Sequence, residues 1–247
     1  MNKINQRVLE LYKTHNGAIL NSLKILDFEQ NSDLPPMFYP DFHNEEFLYV
    51  GLNPSFNSEM FEKFAPKELA PKEWFSWDCI KNSSNIESAI NSVIEFQQNI
   101  KHSEKKIPYF KSIENFCNEI AAGLHYNKLY HYDLFQFRLT SQIIAKEAIL
   151  KMEMKEDFLK KSTENLCLLV RELKPKFIIV ANALASSYIK KFILEDQALD
   201  NKYGCYFIDE TPIFMGSQLT GGATDNFSRE RLAWLIRRYL DLTSSFK

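Results

Sequence analysis

Residues Phe47 to Ser55 read FLYVGLNPS and join an apolar strand to an abrupt polar end. A short apolar run that stops at turn-forming residues is typical of a strand buried in a parallel sheet. Ligands of such sheets bind beyond the carboxyl ends of the strands. Asn53, held after Gly51 and before Pro54, therefore stands where a functional side chain is expected. The alternative is that Asn53 only initiates a turn, since Asn-Pro is a common turn dipeptide.

Outward from this stretch, strand patterns alternate with helix patterns. Helices are predicted over 4–25, 83–100, 108–123, 140–152, 156–173, 183–194 and 228–240. Strands are predicted over 47–50, 129–137, 177–180 and 203–208, whereas 54–82 looks irregular and 212–214 leads into a loop. The alternation indicates a single domain over residues 1–247: a three-layer α/β/α sandwich around a central, mostly parallel sheet of four strands, with the N-terminal helix packing on it.

Composition narrows the class of protein. The chain has 247 residues, is 45% hydrophobic and carries a net charge of -2, so no global attraction to nucleic acid follows, although a local basic patch stays open. The N-terminus lacks the apolar core of a signal peptide, and no run approaches the roughly 18–20 apolar residues of a membrane span. The four cysteines form no C-x-x-C pair. We therefore expect a cytoplasmic monomer without a metal, a cofactor or a membrane partner.

Three segments at predicted strand ends carry a family resemblance. They are GLNPS at 51–55, YHYDL at 130–134 and FMGSQLTGG at 214–222. In order and spacing, from about residue 45 to about residue 240, the chain resembles the uracil-DNA glycosylase superfamily. GLNPS is the most specific of the three and is similar to the Gly-x-Asn-Pro motif of the mismatch-specific and single-strand-selective branches. The resemblance implies DNA, single- or double-stranded, as the partner.

The resemblance also implies roles for single residues. Asn53 would position the hydrolytic water at the sugar C1′. Phe64 would stack on the extruded base, with Phe61 and Trp74 as alternatives for that role. Asp133 falls where the family has an asparagine that reads the base edge.

The last loop completes the implied site. Aligning Ser217 with the family's serine places Leu219 where a wedge residue enters the DNA stack, and Met215 where an active glycosylase has His or Asn. Met215 is a base-binding position in this alignment. DNA contacts are implied for Ser55, Ser217, Gln218, Leu219 and Thr220.

Two departures from the family pattern affect the expected chemistry. The Met215 thioether has no proton to donate to the departing base, and loss of one such donor costs about 100–1000-fold in rate. Gln218 and Ser217 are the alternative donors. An ionised Asp133 only accepts hydrogen bonds, so it would disfavour uracil and suit an amino group such as cytosine N4. The alternative is that Asp133 pairs with Arg138 or caps the next segment.

Two classes of function follow. The first is a monofunctional DNA glycosylase that hydrolyses the N-glycosidic bond of a flipped base, slowly or with altered base specificity; GLNPS and Leu219 favour it. The second is a non-catalytic or repurposed member of the fold that binds nucleic acid or a nucleobase; the near-neutral charge, Met215 and Asp133 favour it. A third, a flavodoxin-like hydrolase of a small metabolite, has no nucleophile–base pair to support it.

Other polar residues are assigned structural roles. His131 is interpreted as a packing residue, although it lies on the same strand face as Asp133. Helix capping is favoured for Asn182 and Ser186, which follow the strand 177–180. A solvated helix face is favoured over phosphate binding for four arginines of the last helix, Arg229, Arg231, Arg237 and Arg238.

Overall fold

The computed structural model describes residues 1–28, 33–43, 45–54, 75–101, 108–120, 126–139, 141–216, 219 and 225–244. The α-helices in these ranges are α1 (Lys3–Ile25), α2 (Trp77–Lys81), α3 (Ile86–Lys101), α4 (Pro108–Ile120), α5 (Gln142–Lys151), α6 (Lys155–Leu173), α7 (Ala183–Ile189) and α8 (Asn226–Ser244). The strands are β1 (Phe47–Gly51), β2 (Leu129–Asp133), β3 (Ile178–Ala181), β4 (Tyr206–Ile208) and β5 (Thr211–Gly216). A 3-10 turn, Tyr126–Lys128, precedes β2, and a π-helical turn, Lys190–Leu194, continues α7.

The strands form one five-stranded sheet in the order β2-β1-β3-β5-β4. β1 pairs with β3 and β3 with β5 in parallel, whereas β4 and β5 are antiparallel. The Glu46 N–H donates to the Lys128 carbonyl before the two strands begin, and the Phe135 N–H donates to the Leu52 carbonyl after both have ended. β1 and β2 therefore also run in the same direction. The predicted fold class, an α/β/α arrangement with a mostly parallel central sheet, is confirmed.

The predicted strand count was wrong, because the sheet has five strands and not four. The missed strand is β5, which contains Pro212, and proline removes a ladder donor and argues against a strand. The parallel pairing with β3 begins only at Ile213, so Pro212 stands before that ladder and faces β4 alone. A two-residue connection between β4 and β5, with Asp209 at a φ of 51°, makes the two strands a hairpin.

Two predicted strands are shorter than their sequence patterns. β2 ends at Asp133 rather than at 137, because the Gln136 amide donates to the Asp133 carbonyl over 2.6 Å and turns the chain. β4 begins three residues later than predicted, because the chain first turns at Gly204. The φ of 68° at Gly204 is left-handed and is accessible to glycine without the steric cost of a Cβ atom.

The predicted helices are present, with differences at their ends. α2 lies inside the stretch predicted to be irregular, and the Ser76 side chain caps it by accepting from the Cys79 N–H. At α3, Asn85 accepts from the Ser88 N–H at 3.0 Å. Ser88 thus occupies the position that a capping box assigns to Glu or Gln, so Glu87 does not close such a box.

The chain divides into two compact units that are interleaved in sequence. The first unit comprises Met1–Asp41, Leu52–Ile107 and Asp133–Asn165, and the second comprises Phe42–Gly51, Pro108–Tyr132 and Leu166–Lys247. The first contains α1, α2, α3 and α5, and the second contains the sheet up to Tyr132 of β2 together with α4, α7 and α8. The prediction of a single domain over the whole chain stays a prediction.

In the first unit, the segment 33–41 lies along α1. Asn5 accepts from the Tyr39 N–H and donates to the Tyr39 carbonyl, both over 2.8 Å. The Tyr12 ring meets the Trp77 ring edge-on with centroids 4.8 Å apart. The bonds from Asn5 fix the Tyr39 backbone, and the Tyr39 hydroxyl accepts from the N–H of β2's last residue.

In the second unit, α4 and α8 cover one face of the sheet. Every residue of β1 and β3 is buried, as is typical of parallel strands covered on both faces. The side chains that build this core are Phe47, Tyr49, Ile113, Phe116, Cys117, Ile120, Leu129, Phe177, Ile179, Ala181, Cys205, Phe214, Leu219, Leu232, Ala233 and Ile236. This core includes side chains of β3 and β5, so it holds the carboxyl ends of both strands in place. None of the described helices is long and apolar enough to span a membrane.

Candidate functional site

Asn53 lies two residues beyond β1 and is half-buried in the first unit. Its amide nitrogen donates to the carbonyls of Leu139, at 3.2 Å, and of Pro54, at 3.4 Å. The Leu139 N–H returns a bond to the Pro54 carbonyl, so the two backbone segments hold the amide on both sides. The Asn53 Oδ1 is buried and has no hydrogen-bond partner among the described residues.

The orientation of the Asn53 amide determines which of its atoms is left without a hydrogen-bond partner. Both of its donors are directed at backbone carbonyls, so the buried carbonyl oxygen is the atom of the amide that has no described partner. Such an oxygen orients a water molecule by accepting one of its hydrogens, but it does not take up the proton. This chemistry fits the water-positioning role predicted for Asn53 and not that of a general base, and the role stays a prediction.

Asp133, the last residue of β2, is 1% exposed. Its backbone N–H donates to the Tyr39 hydroxyl at 3.1 Å, and its carbonyl accepts from the Gln136 amide. Burial raises the pKa of the Asp133 carboxyl from 3.8 to about 7, against the opposing effect of the nearby Arg138 charge. The attraction has the sign expected for the structural alternative, in which Asp133 pairs with Arg138, and that pairing stays a prediction.

Arg138 is 5% exposed, and its guanidinium is enclosed by polar and aromatic groups. Its Nε donates to the Pro35 carbonyl at 2.9 Å, and one terminal nitrogen donates to Gln97 Oε1. The guanidinium carbon lies 5.3 Å from the centroid of the Phe75 ring. Burial lowers the pKa of Arg138 to about 10. We call Tyr39, Gln97, Asp133, Gln136 and Arg138 the buried polar cluster.

The buried polar cluster changes the expectation for base recognition. Asp133 disfavours uracil only as an ionised carboxylate. With a pKa of about 7, a large share of the Asp133 carboxyls is neutral at neutral pH. A neutral carboxyl donates and accepts, as an asparagine amide does. The exclusion of uracil therefore applies to the ionised form only.

The predicted residues of the last loop that the structure describes lie in the second unit. Met215 is half-buried at the end of β5, and Leu219 is 8% exposed and belongs to the core of that unit. A wedge must leave this buried position to enter a base stack, so the wedge role of Leu219 stays a prediction. The convergence of Met215 and Leu219 with Asn53 and Asp133 on one slot also stays a prediction.

Met215 and Leu219 line a pocket of about 530 Å³. Its other lining residues are Ala183, Ser186, Ser187, Lys190, Leu199, Gly204, Tyr206, Ile213, Gly216, Ser228, Arg231, Leu232 and Leu235. The pocket lies beside β5 and is lined by residues of α7 and α8, together with Lys190 from the π-helical turn that continues α7. Lys190 and Arg231 are its cationic lining residues, and no described lining residue carries a carboxylate. We call it the basic pocket.

Several sequence predictions fall on residues outside the described ranges. They are the base-stacking candidates Phe61, Phe64 and Trp74, and the DNA-binding candidates Ser55, Ser217, Gln218 and Thr220. Their roles stay predictions.

The residues assigned structural roles divide into two groups. The Asn182 side chain caps α7 by accepting from the Ala185 N–H at 2.9 Å, as predicted. Arg229, which was predicted on a solvated helix face, is half-buried and pairs with Glu119. His131 lies among aromatic rings, with its Nε2 3.2 Å from the Tyr109 hydroxyl. Ser186, by contrast, lines the basic pocket instead of capping α7.

Sequence reasoning missed Gln97 and Lys190. Gln97 stands in the apolar stripe of α3, between Phe96 and Ile100, and a polar residue in such a stripe was the available indication of a buried contact. Lys190 sits in an amphipathic stretch beside Lys191, and neither spacing nor composition distinguishes the two lysines.

No protein-family model matches the chain, and no curated protein sequence matches it significantly. Within the described residues, no group of three or more His, Cys, Asp or Glu side chains is placed to hold a metal ion.

Proposed function

We propose that the protein is a DNA glycosylase-type hydrolase in which Asn53 positions the water that attacks the sugar C1′ of a flipped nucleotide. A single observation carries the proposal. The Asn53 amide donates both ways into backbone carbonyls and leaves a buried oxygen without a partner among the described residues. The strand order adds support: it reverses between β1 and β3, and ligands of open parallel sheets bind beyond the carboxyl ends of such strands.

The chemistry that follows has a defined order. The N-glycosidic bond breaks first, leaving a positive sugar and an anionic base. The water held by Asn53 then adds to C1′, and its proton passes to the departing base or to solvent. An amide suffices for this role because the sugar cation, and not a strong base, drives the addition. The missing donor at Met215 makes the reaction slow, by about 100–1000-fold for one lost donor.

An excision assay tests the proposal. Oligonucleotides, single- and double-stranded, carry uracil, hypoxanthine, xanthine or an alkylated base, and abasic sites are counted after incubation with the protein. We expect excision of at least one of these bases, reduced about 100–1000-fold in Asn53→Ala. Asn82→Ala changes an exposed asparagine in the same unit and should excise at the native rate.

Two outcomes contradict the proposal. The first is native protein that excises none of the bases, and the second is an Asn53→Ala variant as active as Asn82→Ala. Thermal melting of both variants shows whether a loss of excision reflects a loss of folding.

The second candidate function is binding of nucleic acid or a nucleobase without cleavage. The burial of Leu219 favours it, because a buried leucine is not presented as a wedge, and Met215 offers no proton to a leaving base. This candidate requires native protein that binds the oligonucleotides, with an affinity that falls as salt rises, and leaves every base in place.

A further inference from the structure

We propose that the basic pocket binds a small phosphorylated ligand, a phosphomonoester on an apolar or aromatic body of mononucleotide size, with Lys190 and Arg231 holding the phosphate. The inference does not rest on the proposed hydrolase function. It concerns a pocket within the second unit, whereas Asn53 belongs to the first.

The size of the pocket suits a small molecule. Its volume of about 530 Å³ lies within the range of roughly 300–1,000 Å³ that ligand pockets occupy. Most of the walls are supplied by α7, β4, β5 and α8, which are regular elements packed in the same unit. Lys190 stands on the π-helical turn that continues α7, and Leu199, Gly204 and Leu219 lie outside these elements. Binding therefore requires little ordering of the described walls, which favours affinity.

The charges of two lining residues indicate that the ligand is an anion. Lys190 and Arg231 are both exposed, and neither forms an ion pair with a described carboxylate. Lys190 instead lies over the Tyr206 ring, with its ammonium 5.0 Å from the centroid. A lysine and an arginine on one pocket, with no lining carboxylate to neutralise them, suit the charge and the several acceptor oxygens of a phosphate.

A buried hydroxyl provides a second, independent observation. Ser186 is 9% exposed and lines the pocket, and its Oγ has no hydrogen-bond partner among the described residues. A buried hydroxyl without a partner is costly unless a ligand or water satisfies it. A phosphate oxygen held between the cations supplies the acceptor that Ser186 lacks.

The apolar lining residues determine the body of the ligand. They form the apolar wall of the pocket and are Leu199, Ile213, Met215, Leu219, Leu232 and Leu235. Inorganic phosphate alone would leave this wall in contact with water, whereas an apolar or flat aromatic group covers it. The ligand class is therefore amphiphilic, with a phosphate at one end and a hydrophobic or aromatic group at the other.

The N-terminus of α8 is not part of the proposed phosphate site. Asp225 already caps it, accepting from the Ser228 N–H at 2.9 Å and from the Ser228 hydroxyl at 2.7 Å. These bonds lower the pKa of the Asp225 carboxyl, so a negative charge occupies that helix end. A phosphate is thereby directed away from Ser228 and toward Lys190 and Arg231.

Calorimetric titration of the native protein tests the inference. The probes are inorganic phosphate, the four common nucleoside monophosphates and the matching nucleosides. We expect at least one monophosphate to bind at least tenfold more tightly than its nucleoside and than inorganic phosphate. Lys190→Ala and Arg231→Ala should each weaken that monophosphate roughly tenfold or more, as for a charge-assisted hydrogen bond, and Ser186→Ala should weaken it by a smaller factor.

Matched controls are available on the same elements. Lys191→Ala removes the neighbouring lysine, and Arg238→Ala removes an arginine of α8 that lies over Trp234; neither residue lines the basic pocket. Both variants should bind the monophosphate as the native protein does. Asn53→Ala should also bind it normally, so failure here is separable from failure of the hydrolase proposal.

Three results would overturn the inference. They are no binding of any monophosphate, equal affinity for monophosphate and nucleoside, and equal weakening by the pocket and control variants. A single-stranded oligonucleotide that binds more tightly than every monophosphate, and is released by Lys190→Ala and Arg231→Ala, would also overturn it by identifying a nucleic-acid surface instead.

Discussion

The buried polar cluster and the basic pocket each contain an arginine, but the two arginines lie in opposite environments. Arg138 is enclosed in the first unit, where a backbone carbonyl, Gln97 and the Asp133 charge compensate its loss of water. Arg231 is exposed in the second unit and has no described carboxylate partner. Removal of a compensated buried charge leaves its buried partners unsatisfied and so destabilises the fold. An exposed charge without a partner is instead available to a ligand. The difference separates a structural arginine from a candidate binding arginine.

The largest effect is expected from removing the buried charge. Arg138→Met should lower the free energy of unfolding by about 3–5 kcal/mol, because the buried Pro35 carbonyl and Gln97 Oε1 both lose their charged donor. Denaturant unfolding monitored by fluorescence measures the change. Arg238→Met, on an exposed site of α8, is the control and should have little effect. Equal stability of the two variants would remove the distinction between buried and exposed arginines.

A pH experiment sharpens the same distinction from the acidic side. The folded-state pKa of Asp133 is raised from 3.8 to about 7, so the folded protein retains a proton that the unfolded chain has lost. Stability should therefore fall as the pH rises from about 4 to about 7 and then level off, by on the order of 4 kcal/mol for this group. Subtracting the unfolding free energy of Asp133→Asn, which cannot ionise, isolates the contribution of Asp133.

Asp157 is the control for the sign. A hydrogen bond from Lys161 lowers the pKa of its exposed carboxyl, so its stabilising contribution is present at neutral pH and is lost as the pH falls through the lowered value. The unfolding free energy of the native protein relative to that of Asp157→Asn should therefore fall as the pH falls through the lowered pKa, which is the opposite trend to that expected for Asp133. A native protein that gains stability relative to Asp133→Asn between pH 4 and pH 7 would contradict the raised pKa of Asp133.

The smallest effect is expected in the basic pocket without ligand. Lys190→Ala and Arg231→Ala should each change the free energy of unfolding by no more than about 0.5 kcal/mol, as is usual for exposed side chains without a special contact. The measurement is the same denaturant titration in phosphate-free buffer. A loss comparable to that of Arg138→Met would show that these cations hold the second unit together, and the proposed comparison would fail.

The sequence predicted which residues form helices and strands better than it predicted how the strands pair. Phe47–Val50 and Phe177–Val180 were identified as strands because an apolar run between turn residues is a local property. β5 was missed because Pro212 argues locally against a strand, and only the pairing of the following residues with β3 makes one. The helical end-points differed where a side chain decided them, as Asn85 does at α3.

The candidate site was predictable in part. The position of Asn53 beyond a buried strand followed from GLNPS, but the direction of its amide depends on Leu139, which is distant in sequence. The capping role of Asn182 was local and is confirmed. The place of Ser186 in the basic pocket was not predicted, because it depends on residues of α8 that are distant in sequence.

By itself, the sequence determined the alternation of helices and strands and the placement of Asn53 at a strand end, because hydrophobic periodicity and turn residues act over a few neighbouring positions. Tertiary structure alone decided the charge state of Asp133, the burial of Arg138 and the presence of two cations on one pocket. Each of these depends on which distant groups replace water around a side chain. Desolvation is a property of the folded surroundings, and it is not encoded in the residues on either side.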